Sequence, residues 1–324
     1  MRAMVVSEWG EAKGLRLVEL PDPQPGPGQV MIDVRASSCN FFDLLMVAGK
    51  YQVRPPLPFA PGGEVAGVVR GTGPGVDSVQ PGERVFALLD WGGYASVALA
   101  PAAGVVSMPA AMPFEHGAGF GIVYLTSYLA LVHRAHLRPG DTLLVHAAAG
   151  GVGLTAVQVG RALGARVLAT AGSQRKCAIA REHGAEAAFD YNSADWVERV
   201  KEATGGRGAD VIYDPVGGQV FDLSTKCIAF GGRLLVIGFA SGKIPTIEAN
   251  RVLLKNITVA GMGLGGFQRQ VPELVSQALH ALFELYRRGA IRPVISATFP
   301  LSEAAAALDE IASRRSVGKV LLIP

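Results

Sequence analysis

One stretch, residues 141 to 170, limits the folds open to this chain more than any other. Leu143 to His146 reads as a short strand, and it runs through Gly150-Gly151-Val152-Gly153 into a segment whose apolar residues Val152, Ala156, Val159 and Leu163 fall on one face of a helix. After Gly164 the chain turns back into a second apolar run, Val167 to Ala171. Strand, glycine turn, helix and strand make half of a dinucleotide-binding unit. In such a unit Gly151 is expected to permit the tight turn, Gly153 to let the backbone lie against a pyrophosphate, and Ala156 to let the helix pack closely on the sheet. Free N–H groups in the helix's first turn then hold the phosphate charge. A lone G-x-G-x-x-A pattern is common by chance, and a plain strand-to-helix turn is the rival reading. Its setting between a strand pattern and a helix pattern favours a nucleotide.

The end of the second strand bears on which nucleotide. An NAD site usually places Asp or Glu about 20 residues past the first glycine, on the ribose 2′-hydroxyl. Here Thr170-Ala171-Gly172-Ser173-Gln174-Arg175-Lys176 offers no acid before Glu182. A carboxylate would repel a 2′-phosphate, whereas a hydroxyl and two cations attract one, which points to NADPH. The competing reading makes Arg175 and Lys176 the solvated start of the next helix.

The 324 residues suffice for two domains, each with its own core. A formal charge of +3 with no basic stripe does not imply nucleic acid. No stretch of about 20 residues is apolar throughout, so no membrane span is expected. Met1-Arg2-Ala3-Met4-Val5-Val6 enters a strand-like run without a signal-peptide core, and Cys39, Cys177 and Cys227 are too scattered for a disulfide framework or a structural zinc cluster. The cytoplasm is the expected compartment.

Residues 1 to 100 are dense in short β-like runs broken by Pro and Gly: Ala3 to Ser7, Leu15 to Leu20, Gln29 to Ser37, Gly62 to Gly71, Arg84 to Leu88 and Ala95 to Ala100. That is the pattern of an irregular, barrel-like domain. Asn40 to Met46 reads as a helical turn or two, followed by Gly49-Lys50-Tyr51 and a proline-rich loop, 55–61, expected to wall a cleft. From Glu115 to Leu131 the chain is mostly apolar, with Phe120, Tyr124 and Tyr128 at helical spacing. Alternating strands and helices from Asp141 to Gly261 then predict a doubly wound parallel sheet of about six strands. A periodic helix over 267–288, a β run ending at Phe299, a helix from Ser302 to Ala312 with Ser302 as its cap, and a last strand from Val317 to Ile323 are read as the return to the first domain. The expected division is a β-rich catalytic domain over 1–123, a nucleotide domain over 124–265, a bridging helix over 266–289 and the return over 290–324. The ligand cleft is expected between the domains.

Several segments together are familiar: Asn40-Phe41-x-Asp43, Gly49-Lys50-Tyr51, Pro61-Gly62-Gly63-Glu64-Val65-Ala66-Gly67, Ala148 to Gly153, Gly238 to Pro245, and Leu254-Lys255-Asn256 with Val259 and Gly261. Over its full length the chain resembles the zinc-free members of the medium-chain dehydrogenase/reductase superfamily, specifically the quinone oxidoreductase group with its acrylyl-CoA-reductase-like relatives. The resemblance implies an α/β fold in which a doubly wound Rossmann domain is inserted between two parts of a β-rich, GroES-like, partly open barrel. Zinc-dependent members carry His-Glu where this chain has Gly63-Glu64, so Cys39 and Glu64 alone would not complete a three-ligand site and no metal is expected. Cys39 is read as a small, buried, inert thiol. Of the six histidines only His133 and His136 are close, on a basic turn read as a solvated helix end.

Losing zinc removes the Lewis acid that alcohol oxidation needs, and what remains suits hydride delivery to a conjugated acceptor. The resemblance implies NADPH-dependent reduction of a small-molecule quinone or enone, with Asn40 and Tyr51 as catalytic donors. Read from the residues alone, Asn40 could equally cap the short helix and Tyr51 pack on Pro55, while Asp43 is expected to pair with an arginine. For the cofactor the resemblance implies Thr126, Gly150, Gly151, Val152, Ser173, Lys176, Tyr191, Phe239, Ala240, Asn250 and Arg314; a surface aromatic is the rival role for Tyr191. A 2-enoyl-CoA reductase is the nearest alternative, needing cations such as Arg35, Arg54, Arg269 and Arg292 for the CoA phosphates. A non-catalytic NADPH-binding structural or RNA-binding protein is the more remote one. The strand Ile257 to Gly261 would leave an open sheet edge, and relatives pair such edges, so a homodimer is expected.

Overall fold

A computed structural model of the chain describes residues Met1–Pro324. Its internal contacts divide it into two units, Met1–Ile122 with Pro293–Pro324, and Val123–Arg292. The second unit is therefore an insertion in the first. Strands β1 (Arg2–Val5), β2 (Arg16–Glu19), β3 (Gln29–Cys39), β4 (Glu64–Thr72), β5 (Arg84–Leu88), β6 (Val97–Pro101) and β7 (Val105–Ser107) precede the insertion. The insertion holds β8 (Thr142–Val145), β9 (Arg166–Ala171), β10 (Ala187–Asp190), β11 (Ala209–Asp214), β12 (Ile228–Val236) and β13 (Thr258–Gly261). Strands β14 (Ile295–Pro300) and β15 (Lys319–Ile323) follow it.

The first unit is organised by β3, which pairs with β4 on one side and with both β6 and β15 on the other, in a seven-stranded sheet of order β14-β15-β3-β4-β5-β7 with β6 off that path. Alternation along β3 turns Val30, Ile32 and Val34 into one core with Val65, Val69, Val85 and Ala98. Cys39, at its end, enters another, with Met46, Phe59, Tyr94, Val320 and Leu322. Ile32 is fully buried, so truncating it to Ala would cost about 2–5 kcal/mol. Because β15 pairs antiparallel with β3 through Val320–Cys39, Leu321–Ser38 and Leu322–Ser37, the end of the chain lies against the residues just before Asn40.

In the second unit six strands pair in parallel in the order β10-β9-β8-β11-β12-β13. The order reverses between β8 and β11, and ligands of such sheets bind at the carboxyl ends of the strands beside that reversal. β8 is buried throughout, as expected of an inner parallel strand covered on both faces. β13 stands at the edge, where the sequence places it.

Four expectations of the sequence need correction. The stretch 115–131 is not one helix: it divides into Phe114–Ala118, Gly121–Tyr128 and a π-helical segment, Leu129–Arg134. The single helix over 267–288 is two, Leu264–Gln270 and Pro272–Arg287, because Pro272 favours the start of a helix and Val271 before it leaves the helical region, at φ −143° and ψ 58°. Both fall in the second unit. Ser302 caps nothing: it lies in a 3-10 turn, Leu301–Glu303, and the helix Ala304–Ala312 starts after Glu303 with no side-chain cap. The strand Val105–Ser107 escaped notice because three residues are too few for a periodic signal.

Candidate active site

The glycine turn follows β8. Ala147 adopts the left-handed φ of 48°, and Gly150 N–H donates to its carbonyl at 2.9 Å. The tight turn therefore falls on Ala147 and not on Gly151, which is already the first residue of helix Gly151–Ala162. Gly153 is required by its own chain: a Cβ there would lie 2.2 Å from Ala147 O. The close approach expected of it toward a pyrophosphate is thus first an approach of helix to turn. No side chain caps this helix, whose N-cap is Gly150. Its first-turn N–H groups and the positive end of its dipole are open to an anion. Ser127, beside Thr126, ties helix Gly121–Tyr128 to the same turn, with Oγ 3.2 Å from Val152 O, 2.7 Å from Thr155 Oγ1 and 3.1 Å from Tyr213 OH.

At the end of β9 the structure gathers Gly172, Ser173, Lys176 and Tyr191. Ser173 caps helix Gln174–Glu182, accepting from Lys176 N at 3.3 Å, and so retains its own proton for donation. The Tyr191 ring lies over Gly172, its hydroxyl 3.0 Å from where a Cβ would stand. No acid occupies Ala171 to Lys176, so a phosphate meets no carboxylate from this turn.

β11 ends at Asp214, whose Oδ1 accepts from Val216 N at 2.7 Å and Gly217 N at 3.0 Å. Burial raises its carboxyl to about 6, and Oδ2 has no partner. This loop carries Phe239 and Ala240 alongside, through Ala240 N to Pro215 O at 3.0 Å and Ser241 N to Val216 O at 2.9 Å. Asn250 is exposed in the first turn of helix Ala249–Lys255, and Arg314, exposed at φ 56°, belongs to the first unit. His146 is buried between Thr170 Oγ1 and Ser224 Oγ, and desolvation lowers it to about 3. Ser224 donates to Val220 O, so it accepts from His146 Nε2–H, which makes the imidazole neutral and structural.

Asn40, Tyr51, Glu64 and Lys319 lie in the first unit. Asn40 occupies the N-cap position of helix Phe41–Val47 in a capping box, its side chain facing Asp43 N while Asp43 Oδ2 accepts from Asn40 N at 2.8 Å. The Asn40 amide has further partners. Its Oδ1 accepts from Lys319 Nζ at 2.6 Å, and its Nδ2 lies at longer range, 3.3 Å from Glu64 Oε1 and 3.4 Å from Ser38 O. Lys319 Nζ also meets Glu64 Oε1 at 3.0 Å, an ion pair in which both side chains are about 5% exposed or less. Removing one partner would leave an uncompensated buried charge, at a cost of about 3–5 kcal/mol. Glu64 Oε2 accepts from Ile122 N at 2.9 Å.

Asp43 does not pair with an arginine. Tyr94 OH donates to its Oδ2 at 3.0 Å, Oδ1 is unpartnered, and burial pushes the carboxyl up to about 7. Tyr51 stacks on Phe42, rings 5.4 Å apart and 27° from parallel. Phe42 in turn covers Gly63, where a Cβ would come within 2.5 Å of the ring. A histidine cannot enter at 63 without displacing Phe42, and the Glu64 carboxylate already holds an ammonium. These residues do not fit a catalytic zinc.

Lys319 and Tyr94 were missed in the sequence. A lysine in an otherwise apolar final strand is itself a signal, since such a residue is buried only when paired. Tyr94 carries no comparable mark. Of the cations considered for CoA, Arg292 is spent within the second unit, bonding Tyr286 O and Ile291 O and lying over the Tyr286 ring at 4.1 Å.

Two family models match the chain: an alcohol dehydrogenase GroES-like domain over residues 26–110 and a zinc-binding dehydrogenase over 151–280. A quinone oxidoreductase-like protein 2 homolog of Nematostella vectensis is 39% identical over 300 residues, covering 92% of this chain and 82% of its own. The crystal structure of Escherichia coli quinone oxidoreductase complexed with NADPH superposes with a TM-score of 0.94 at 32% identity, over the whole of both chains. A 2-haloacrylate reductase superposes with a TM-score of 0.87 at 32% identity, covering 100% of this chain and 99% of that one.

Proposed function

Because the chain belongs to the zinc-independent, quinone oxidoreductase-like branch of the medium-chain dehydrogenase/reductases, we propose that it reduces quinones or α,β-unsaturated carbonyl compounds by hydride transfer from NADPH. The observation that carries the reading is a pair of features: an uncapped helix N-terminus beside an acid-free turn, and an ion pair where a metal would need free ligands. The first-turn N–H groups of helix Gly151–Ala162 hold the pyrophosphate, and Ser173, Lys176 and Tyr191 hold the 2′-phosphate. Thr126, Phe239 and Ala240 line the rest of the cofactor's path, with Asn250 and Arg314 as outer contacts. When bound, NADPH supplies the hydride. The acceptor needs only its developing oxyanion stabilised, because conjugation spreads the charge, and Asn40 and Tyr51 are the donors we assign to it.

Fluorescence titration with each nicotinamide should show tighter binding of NADPH than NADH. Lys176→Ala should weaken NADPH selectively by about 1–3 kcal/mol, the range of a charge-assisted hydrogen bond. Equal affinities for the two nicotinamides would refute the cofactor assignment. Tyr51→Phe should leave cofactor affinity unchanged and slow an enone by about 10²–10³, with less effect on a quinone, whose oxygens take protons from water. An undiminished enone rate would remove Tyr51 from the chemistry. Rates on a quinone, an enone and acrylyl-CoA, measured side by side, separate the acceptor classes.

We also infer a homodimer that covers the open edge at β13. Ile244, Leu253 and Leu254, in the segment leading to that strand, are each at least 74% exposed. Light scattering at micromolar concentration should give twice the chain mass; the monomer mass would contradict it. The three buried, free cysteines accord with a reducing compartment, and the cytoplasm is the assignment we favour. No helix is long and apolar enough to cross a membrane.

A further inference from the structure

The bond between Lys319 and Asn40 has no part in the function proposed so far. It is the shortest that Lys319 makes, 2.6 Å, against 3.0 Å to Glu64 Oε1 and 3.4 Å to Cys39 O. A lysine needed only to neutralise Glu64 has no reason to spend its closest contact on a neutral amide. All three ammonium protons have acceptors, so Lys319 is not poised to give one away. Its backbone is fixed as well, by the pairing of β15 with β14 and by Lys319 N donating to Val294 O at 2.8 Å. Glu64 is fixed through Oε2 on Ile122 N.

An asparagine amide has two faces of opposite polarity, and nothing in its shape selects between them. Here the surroundings do. With Oδ1 toward Lys319, Nδ2 faces the Glu64 carboxylate. Rotating the amide by half a turn would set NH₂ against an ammonium and a carbonyl oxygen against a carboxylate. Both members of the ion pair therefore oppose the same error. The contacts of Nδ2, at 3.3 and 3.4 Å, are long, so its hydrogens are incompletely satisfied. An amide turned the other way would present an oxygen to the acceptor's developing negative charge and repel it.

We propose that Lys319, with Glu64 as its counter-charge, is a positioning residue that holds the Asn40 amide with Nδ2 as the only group it can offer to the acceptor's oxygen. This rests on the reading of Asn40 as a donor to the acceptor, and it extends that role to a side chain at the far end of the sequence.

The test is a double-mutant cycle in the full-length protein with NADPH and an enone. Asn40→Ala and Lys319→Met should each lower kcat by about 10²-fold, the scale of one preorganised donor, while the dissociation constant for NADPH changes by no more than about twofold. The double variant should be no slower than Asn40→Ala, because Lys319 has nothing left to orient. If the two losses multiply, or Lys319→Met keeps full kcat, the positioning role is overturned while the reading of Asn40 stands. Full kcat in Asn40→Ala overturns that reading and this proposal together. Should Lys319→Met not fold because Glu64 is left unpaired, Glu64→Gln/Lys319→Met removes both charges. It should fold and bind NADPH yet remain slow; wild-type kcat in it would show that charge balance, not orientation, was the task of the pair.

Discussion

The first turn of helix Gly151–Ala162 and the pocket around Glu64 are both built around a charge, and the chain treats them in opposite ways. At the helix, where a side-chain cap would be worth about 1 kcal/mol, the N-cap is a glycine and the N–H groups stay open. The next helix, Gln174–Glu182, does carry its serine cap. Around Glu64 the reverse holds: Lys319 supplies the cation and Phe42 covers the neighbouring position. A site meant to receive an anion from outside forgoes a local cap, whereas one that must not receive a cation is filled by the chain itself. The same contrast separates the chemistry we propose, a pyrophosphate held by backbone N–H groups in the second unit and an amide oriented by buried side chains in the first.

The largest effect should come from closing the open site. Gly153→Val sets side-chain atoms against Ala147 O, and we expect a loss of about 3 kcal/mol, the upper end of overpacking costs, together with loss of NADPH binding. Denaturant unfolding and fluorescence titration measure the two, and a variant that binds NADPH like the wild type would remove the argument for Gly153. Forcing the filled site open comes next. Gly63→His should cost about 2 kcal/mol by crowding Phe42, and elemental analysis should still find no stoichiometric zinc, because Lys319 already neutralises Glu64. One tightly held zinc per chain would break the comparison.

A pH slope provides the third test. Asp43 is raised from 3.8 to about 7, chiefly by desolvation, so the folded chain holds its proton more tightly than the unfolded one. The stability this contributes is complete below about pH 4 and is lost as pH rises toward 7, with no further change above. Wild type should therefore lose stability relative to Asp43→Asn across that window, by on the order of 1 kcal/mol per pH unit at the steepest. Asp214 shifts in the same direction in both proteins and cancels in the difference. A flat difference between pH 4 and 7 would mean that Asp43 is ionised throughout, with a partner for Oδ1.

Contiguity separates what could be read from the chain from what could not. The glycine turn, the acid-free segment from Ala171 to Lys176 and the edge position of β13 were legible because each depends on neighbours in sequence or on the order of alternating elements. The Pro272 break in the long helix was legible too, in principle, but helical periodicity on both sides concealed it. Even within the glycine turn the division of labour was not: which residue takes the left-handed φ depends on how closely helix and strand end approach, and that fell to Ala147.

By itself the sequence determined the two patterns of secondary structure, the insertion of one fold within another, the nucleotide turn and the loss of a zinc-binding histidine at Gly63, all consequences of short-range periodicity or of the identity of a single residue. Only the tertiary structure decided what pairs with Glu64 and what faces Asn40. Lys319 stands 279 residues from Asn40 and 255 from Glu64, and no local rule joins them. They meet because β15 pairs with β3 beside β4, and because a buried ammonium, once there, must find a carboxylate and enough acceptors to replace the water it has lost.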